Sequence, residues 1–287
     1  MPNNKKKEGG KKKRFFALKR KYLAIPYALF LLLFTIIPLL FIIIYAFTGS
    51  YINEEGVKIT YFSFEAASSF FTSESKWQVL LASLFIGVQT TLICLLLGYP
   101  AAYFLADKKY NKNKVLVILF IMPMWINFVI RTGATRDVLN LIGLSGSIHP
   151  WPATLIGMVY NYLPFVILPL YTTMLKLDRA QIEAASDLGC NPVQTFVKNI
   201  LPQSIPGIVS AAQMVFMPVM SSYVISDTLS EGKITLFGNY IYLDFTNSLW
   251  NEGSFMALIM LIIIAITMFL TRNVEKDPTS ARGGGLW

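Results

Sequence analysis

Residues Tyr22–Phe47 read YLAIPYALFLLLFTIIPLLFIIIYAF, twenty-six in succession without a charged side chain. A chain crossing hydrocarbon must satisfy its own backbone amides, which only a helix or a closed barrel does. Barrel strands alternate apolar and polar residues, whereas this run is continuously apolar and exceeds the roughly 20 residues that a spanning helix needs. It therefore reads as a transmembrane helix.

Working outward, five further runs lack charge: Gln78–Ala106, Val115–Ile130, Trp151–Tyr171, Gln203–Ser226 and Ser254–Thr271. The chain has 287 residues, 54% hydrophobic and 14% charged, with a mean hydropathy of +0.53, too apolar for a soluble domain of that size. The expected fold is an all-α integral membrane protein. Its six transmembrane helices are drawn at residues 22–47, 78–106, 115–131, 151–175, 203–226 and 254–272. A basic tail, 1–21, precedes them and a second tail, 273–287, follows. The third run is short for a span, so it is extended through Arg131, whose side chain is expected to snorkel to the outer interface.

The basic stretch Lys5–Lys21 is not read as a secretion signal, because the apolar run behind it is about twice the usual length and offers no small-residue cleavage site. Charge sets the orientation. With the N-terminus inside, 20 of the 25 basic residues face the cytoplasm, leaving a net +13 inside and −4 outside. That is the positive-inside pattern, and it places both termini in the cytoplasm. Trp77, Trp151 and Trp250 precede the second, fourth and sixth helices, all on the predicted outer side, where interfacial tryptophans collect. The N-terminal charge is read as topogenic and lipid-attracting, not as a nucleic-acid site.

Catalytic chemistry has little to work with. His149 is the one histidine, and Cys94 and Cys190 fall in different segments, so no zinc site or disulfide is expected. No nucleotide-binding loop occurs. The apolar runs also hold no ionisable residue of the kind an ion-coupled transporter uses, which leaves that class a weaker alternative.

Between the fourth and fifth helices lies Leu177–Pro202, LDRAQIEAASDLGCNPVQTFVKNILP. It is too polar to span and reads as two short coupling helices over residues 178–202. Asp178 caps the first, with Gln181 in capping-box position, and Gly189 ends it in the left-handed conformation. Asn191 caps the second and Pro192 occupies its first position. Val193, Phe196, Val197 and Ile200 then form one apolar stripe. That stripe and the small residues Ala180, Ala184 and Ala185 call for a packing partner, which is either another protein or the chain's own inner face.

At these residues the chain resembles the ABC importer permeases with an EAA motif: Glu183-Ala184-Ala185, then Gly189, then Leu201-Pro202. In that family the segment docks into a cytoplasmic ATPase. The resemblance implies ATPase-coupling roles for Glu183, Ala184, Ala185, Gly189, Ile200, Leu201 and Pro202, and the type I importer permease fold. Asn199 stands where the family usually has Ile. Leu97–Ala106, Tyr162–Phe165, Pro169–Tyr171, Lys176–Asp178 and Tyr223–Asp227 extend the resemblance to the spermidine/putrescine permeases, most of all the first of that system's two. Permeases for ferric iron, sulfate or molybdate share the architecture and are the rivals for substrate. The resemblance implies a cytoplasmic ATPase dimer that holds ATP and Mg, a second homologous permease and an extracytoplasmic binding protein, all at a bacterial plasma (inner) membrane. This chain would carry no cofactor.

Helix-breaking residues inside spans mark backbone that lines a cavity. Pro123, Pro164, Pro169, Pro206 and Pro218 all fall in the third to fifth helices, beside Trp125, Asn127, Tyr160, Asn161, Tyr162, Ser221, Ser222, Tyr223 and Asp227. These helices are expected to line the substrate pathway, with Trp125, Asn127, Tyr160, Asn161, Tyr162, Tyr223 and Asp227 as its candidate residues, and the first and sixth to face lipid. Aromatic faces and a carboxylate suit a polycation. The segments 48–77 and 227–253 are expected to meet the binding protein, the latter through a short interfacial helix or a re-entrant turn.

Overall fold

The computed structural model describes residues 25–52, 58–107 and 115–272; the tails 1–21 and 273–287 lie outside these. In chain order the elements are α1 (Ile25–Ala46), the antiparallel strands β1 (Thr48–Ile52) and β2 (Lys58–Phe62), α2 (Glu65–Thr72) and α3 (Glu74–Ala106). Then come α4 (Val115–Ile121, tightening to a 3-10 turn over Met122–Trp125), α5 (Phe128–Leu141), α6 (Pro150–Met174) and α7 (Arg179–Asp187). The remainder is α8 (Pro192–Ser221), α9 (Val224–Ser230), α10 (Phe237–Thr246) and α11 (Trp250–Thr271). Among the described residues five helices, α1, α3, α6, α8 and α11, are long and apolar enough to cross a membrane, and α4 with α5 makes a sixth span if the bent pair counts as one.

The core is a triangle of α3, α6 and α8. Three contacts keep step along α3 and α6: Trp151 Nε1 donates to Gln89 Oε1 at 3.0 Å, Cys94 Sγ to the Val159 carbonyl at 3.7 Å, and Gly98 meets Val166. The two helices are therefore parallel. A Cβ on Gly98 would sit 2.7 Å from Val166 Cγ1, so hydrogen at this position lets the helices close. In contrast α8 runs antiparallel to both, since Tyr99 pairs with Ser204 at 2.8 Å while Gly87 faces Phe216, and Tyr162 OH reaches the Pro218 carbonyl at 3.4 Å while Gly207 faces Thr173. Ile86, Cys94, Val166, Ile167, Val215 and Val219 fill the triangle.

A second cluster, including Phe70, Leu80, Met220, Phe237 and Phe255, joins α2, α3, α8, α10 and α11. Asn251 holds the carbonyls of Tyr45 and Thr48, which sets α11 antiparallel to α1. The hairpin, α2, α9 and α10 thus gather at one end of the bundle and α7 at the other, and both ends of the described chain point toward α7. Before Ala46, α1 buries no residue.

Three segments differ from the sequence expectation. The third span is not one helix through Arg131: α4 and α5 meet at 96°, because Ile126 is extended (ψ 138°) and Asn127 caps a new helix, its Oδ1 accepting from Val129 N at 2.9 Å. The second loop helix is not separate, since it is the first turns of α8. Pro202 removes the amide that would bond back to Lys198, and a π turn over Phe196–Ile200, closed by Leu201 N on the Phe196 carbonyl, carries the helix past it. Finally, α8 stops at Ser222 (ψ 113°), four residues after Pro218, and α9 begins a new helix. Residues 237–246 form a helix packed on α11.

Candidate functional site

The loop helix α7 is built by its caps. Asp178 Oδ1 accepts from Ala180 N at 3.1 Å, and Gln181 Nε2 bonds Asp178 Oδ2 at 3.0 Å, in place of the reciprocal box. Gly189 has φ +85°, and Cys190 N and Gly189 N return to the carbonyls of Ala185 and Ser186, a Schellman termination. The full capping box lies at Asn191 and Gln194, bonded both ways at 2.7 and 3.1 Å. Asn199 joins this frame: its Nδ2 donates to the Gln181 carbonyl at 3.3 Å, and Gln203 Nε2 donates to Asn199 Oδ1. Where an apolar residue would only pack, Asn199 ties α7 to α8.

The expected apolar stripe divides. Ile200 is buried and Phe196 sets its ring edge-on to Tyr99, 5.7 Å between centroids, so that half faces the chain's own bundle. Val193 and Val197 are exposed, as is Leu188. Glu183, Ala184, Gly189 and Pro202 are exposed, and Ala185 and Leu201 are half-buried. The coupling candidates on α7, its terminating turn and the first turns of α8 are thus exposed or half-buried, apart from Ile200, which is buried. Beneath α7 a cavity of about 210 Å³ is lined by Tyr103, Asp107, Met174, Ile182 and Glu183, among others.

At the opposite half of the bundle the two helix breaks face each other. Between the α4–α5 break and the α8–α9 break lies a cavity of about 590 Å³, within the size range of small-ligand sites. Trp125, Asn127, Asn161, Tyr162 and Tyr223 line it, as do Ser221 and Ser222. Discontinuous helices around an internal cavity are how membrane transporters expose backbone and polar groups to cargo.

Two candidates stand apart. Tyr160 is not in the lining; its ring lies 5.7 Å beneath the Arg131 guanidinium. Asp227 is exposed on α9, also outside the lining.

Arg131 does not snorkel. It is 7% exposed and lines the cavity, with Nε on Asn161 Oδ1 at 2.8 Å, Nη1 on the Pro123 carbonyl at 2.7 Å and Nη2 on the Asn161 carbonyl at 3.4 Å. Three internal acceptors replace the water that snorkelling would have sought. An arginine just past an apolar run that contains a proline was the available signal.

The binding-protein-dependent transport system inner membrane component family matches residues 95–279, a stretch that holds both helix breaks and the whole of α7. The chain belongs to that family. It is 34% identical over 209 residues to the spermidine/putrescine transport system permease protein PotB of Escherichia coli (strain K12), covering 68% of this chain and 76% of that one. To the PotB homolog of Mycoplasma genitalium it is 31% identical over 242 residues, 78% of this chain and 80% of the relative. A chain in the crystal structure of a bacterial alginate ABC transporter, complexed with its alginate pentasaccharide-bound periplasmic protein, superposes with a TM-score of 0.64. That alignment covers 90% of this chain and 95% of the other at 16% identity, a likeness of fold.

As a permease of this family, the chain is a multi-pass membrane protein. An ion pair lies beside α10 and the start of α11. Lys76 Nζ bonds Glu252 at 2.5 Å and Ser69 Oγ at 2.9 Å. Asp244 is buried nearby with Oδ2 unpartnered. Burial, against the pull of Lys76 and with the push of Glu252, raises its carboxyl to about 6.

Proposed function

We propose that this permease moves spermidine and putrescine inward across a bacterial plasma membrane, drawing them from an extracytoplasmic binding protein by alternating access. The observation that carries the reading is the similarity to spermidine/putrescine permeases over at least two thirds of the chain. The cavity supports it: Trp125, Tyr162 and Tyr223 offer aromatic faces to ammonium groups, each contact worth about 0.5–2 kcal/mol, enough to replace some hydration without trapping the cargo. The α7 end is cytoplasmic in this reading, as the positive-inside pattern requires, and there Glu183, Ala184 and Gly189 meet an ATPase dimer that binds ATP and Mg. A second, homologous permease completes the pathway. ATP-driven closure of the ATPases moves α7, and α8 carries the motion because the docking segment and the span are one helix.

One observation favours a second reading. Arg131 puts a positive charge in the cavity wall with no carboxylate within 4.0 Å among the described residues, an arrangement that welcomes an anion such as sulfate or molybdate. The deciding experiment reconstitutes the chain with its ATPase, second permease and binding protein in vesicles and follows labelled spermidine, sulfate and molybdate. ATP-dependent accumulation of spermidine alone establishes the polyamine reading. Accumulation of either anion without spermidine replaces it.

A further inference from the structure

The guanidinium of Arg131 stands on α5, one turn beyond the break, and reaches back across it. Its Nη1 holds the carbonyl of Pro123 on the α4 side, while Nε and Nη2 hold the side chain and carbonyl of Asn161 on α6. Asn161 is itself fixed, donating through Nδ2 to the Gly157 carbonyl at 2.9 Å and toward Thr132 Oγ1 at 3.5 Å. The face of Tyr160 supports the cation. Three elements, α4, α5 and α6, thus share one planar fork, which adds a polar tie across the break to the packing of α4 and α5 on α6.

From this geometry we infer that Arg131 is a positioning residue for transport: its fork latches the broken third span to α6 and so sets the shape of the cavity the cargo crosses. The latch rests on the reading of that cavity as the pathway. The fork, and not the charge, is the working part. Lysine carries the same charge but is a point donor that cannot bridge two carbonyls and an amide in one plane. A buried arginine loses most of its worth when its acceptors are left unpaired, so half-measures fail together.

The test uses Arg131→Lys and Arg131→Gln in the assembled complex with ATPase, second permease and binding protein. Both Arg131 variants lower the maximal uptake rate by tenfold or more, with the half-saturating concentration of loaded binding protein unchanged within twofold and the ATPase still co-purifying.

A cargo-independent readout separates the latch from the pathway reading. Ser222→Cys, in a Cys190→Ser background, is labelled in membrane vesicles by a charged thiol reagent, and its rate changes at least threefold in both Arg131 variants. Unchanged labelling in Arg131→Lys overturns the latch, whatever the uptake. Changed labelling with unchanged uptake leaves the latch standing and overturns the cavity as pathway.

Discussion

The phenol rings of Tyr223 and Tyr242 lie face to face, 4.6 Å between centroids and 8° from parallel. Tyr223 stands in the α8–α9 break and lines the cavity, while Tyr242 comes from α10, the helix packed on α11. Stacked pairs contribute about 0.5–1.5 kcal/mol beyond area burial, so Tyr242 holds the cavity tyrosine without touching the cavity. Tyr242→Ala is expected to lower uptake about twofold to tenfold, the equivalent of that coupling. Tyr242→Phe keeps the ring and retains uptake. Uptake measured on both in vesicles checks this, and equal loss in the two would assign the effect to the hydroxyl.

Gly189 ends α7 at φ +85°, and a Cβ there would meet nothing within 4 Å. The cost of Gly189→Val is therefore backbone strain, about 1–2 kcal/mol for a side chain in this conformation and more for a β-branched one, and not a clash with the bundle. The substitution should leave membrane insertion intact and unwind the last turn of α7. Glu183→Lys, on the exposed face, should reverse the local charge without disturbing the fold. Both are expected to abolish uptake and ATPase co-purification while expression persists. Normal uptake in either removes its residue from the coupling surface.

The spans and caps were legible because their signals are local. Asp178, Gly189 and Asn191 do what capping chemistry assigns them, since each cap needs only residues within a turn or so of it: the next three for Asp178 and Asn191, the preceding four for Gly189. The failures come where one residue answers to a distant partner. The run Val115–Ile130 is uncharged throughout, and its break is marked only by Pro123 and by Asn127, a cap in mid-run that periodicity passes over. Arg131 looked destined for water because two of its three acceptors lie thirty positions away on α6. Pro202 looked like a loop end because nothing in the sequence announces the π turn that absorbs it. Tyr160 looked free for cargo, yet it faces the chain's own cation.

Asp244 makes stability depend on pH. Its carboxyl, raised to about 6 from an ordinary 3.8, binds its proton more readily folded than unfolded. The folded state is accordingly favoured below about 4, loses that advantage as pH climbs toward 6, and carries the full penalty above it. The groups it faces are Lys76 of α3 and Glu252 of α11, the first easing ionisation and the second opposing it. Asp244→Asn is expected to raise the melting temperature of the purified complex at pH 7.5, with the gain shrinking toward pH 4.5. Thermal unfolding across that range checks the sign. A destabilised variant at pH 7.5 would mean that the ionised carboxylate is paired, with Lys76 as its partner.

Trp125 and Asp227 divide the two ways a polycation can be handled. Trp125 is 78% exposed within the cavity lining, so its face is free for an ammonium group, and losing one such contact is worth about 0.5–2 kcal/mol, roughly twofold to thirtyfold in rate. Asp227 lies outside the lining and exposed, where screening and water leave a lone carboxylate little hold on a passing ion. Any service it gives is long-range attraction at the entrance, which depends on ionic strength. Trp125→Ala should therefore lower spermidine uptake by a factor that salt does not change, whereas Asp227→Asn should matter at low salt and fade at high salt. Uptake by the two variants at two ionic strengths decides between these roles. A salt-independent loss in Asp227→Asn would place its carboxylate in direct contact with cargo, and would require α9 to turn toward the cavity in another state of the transport cycle.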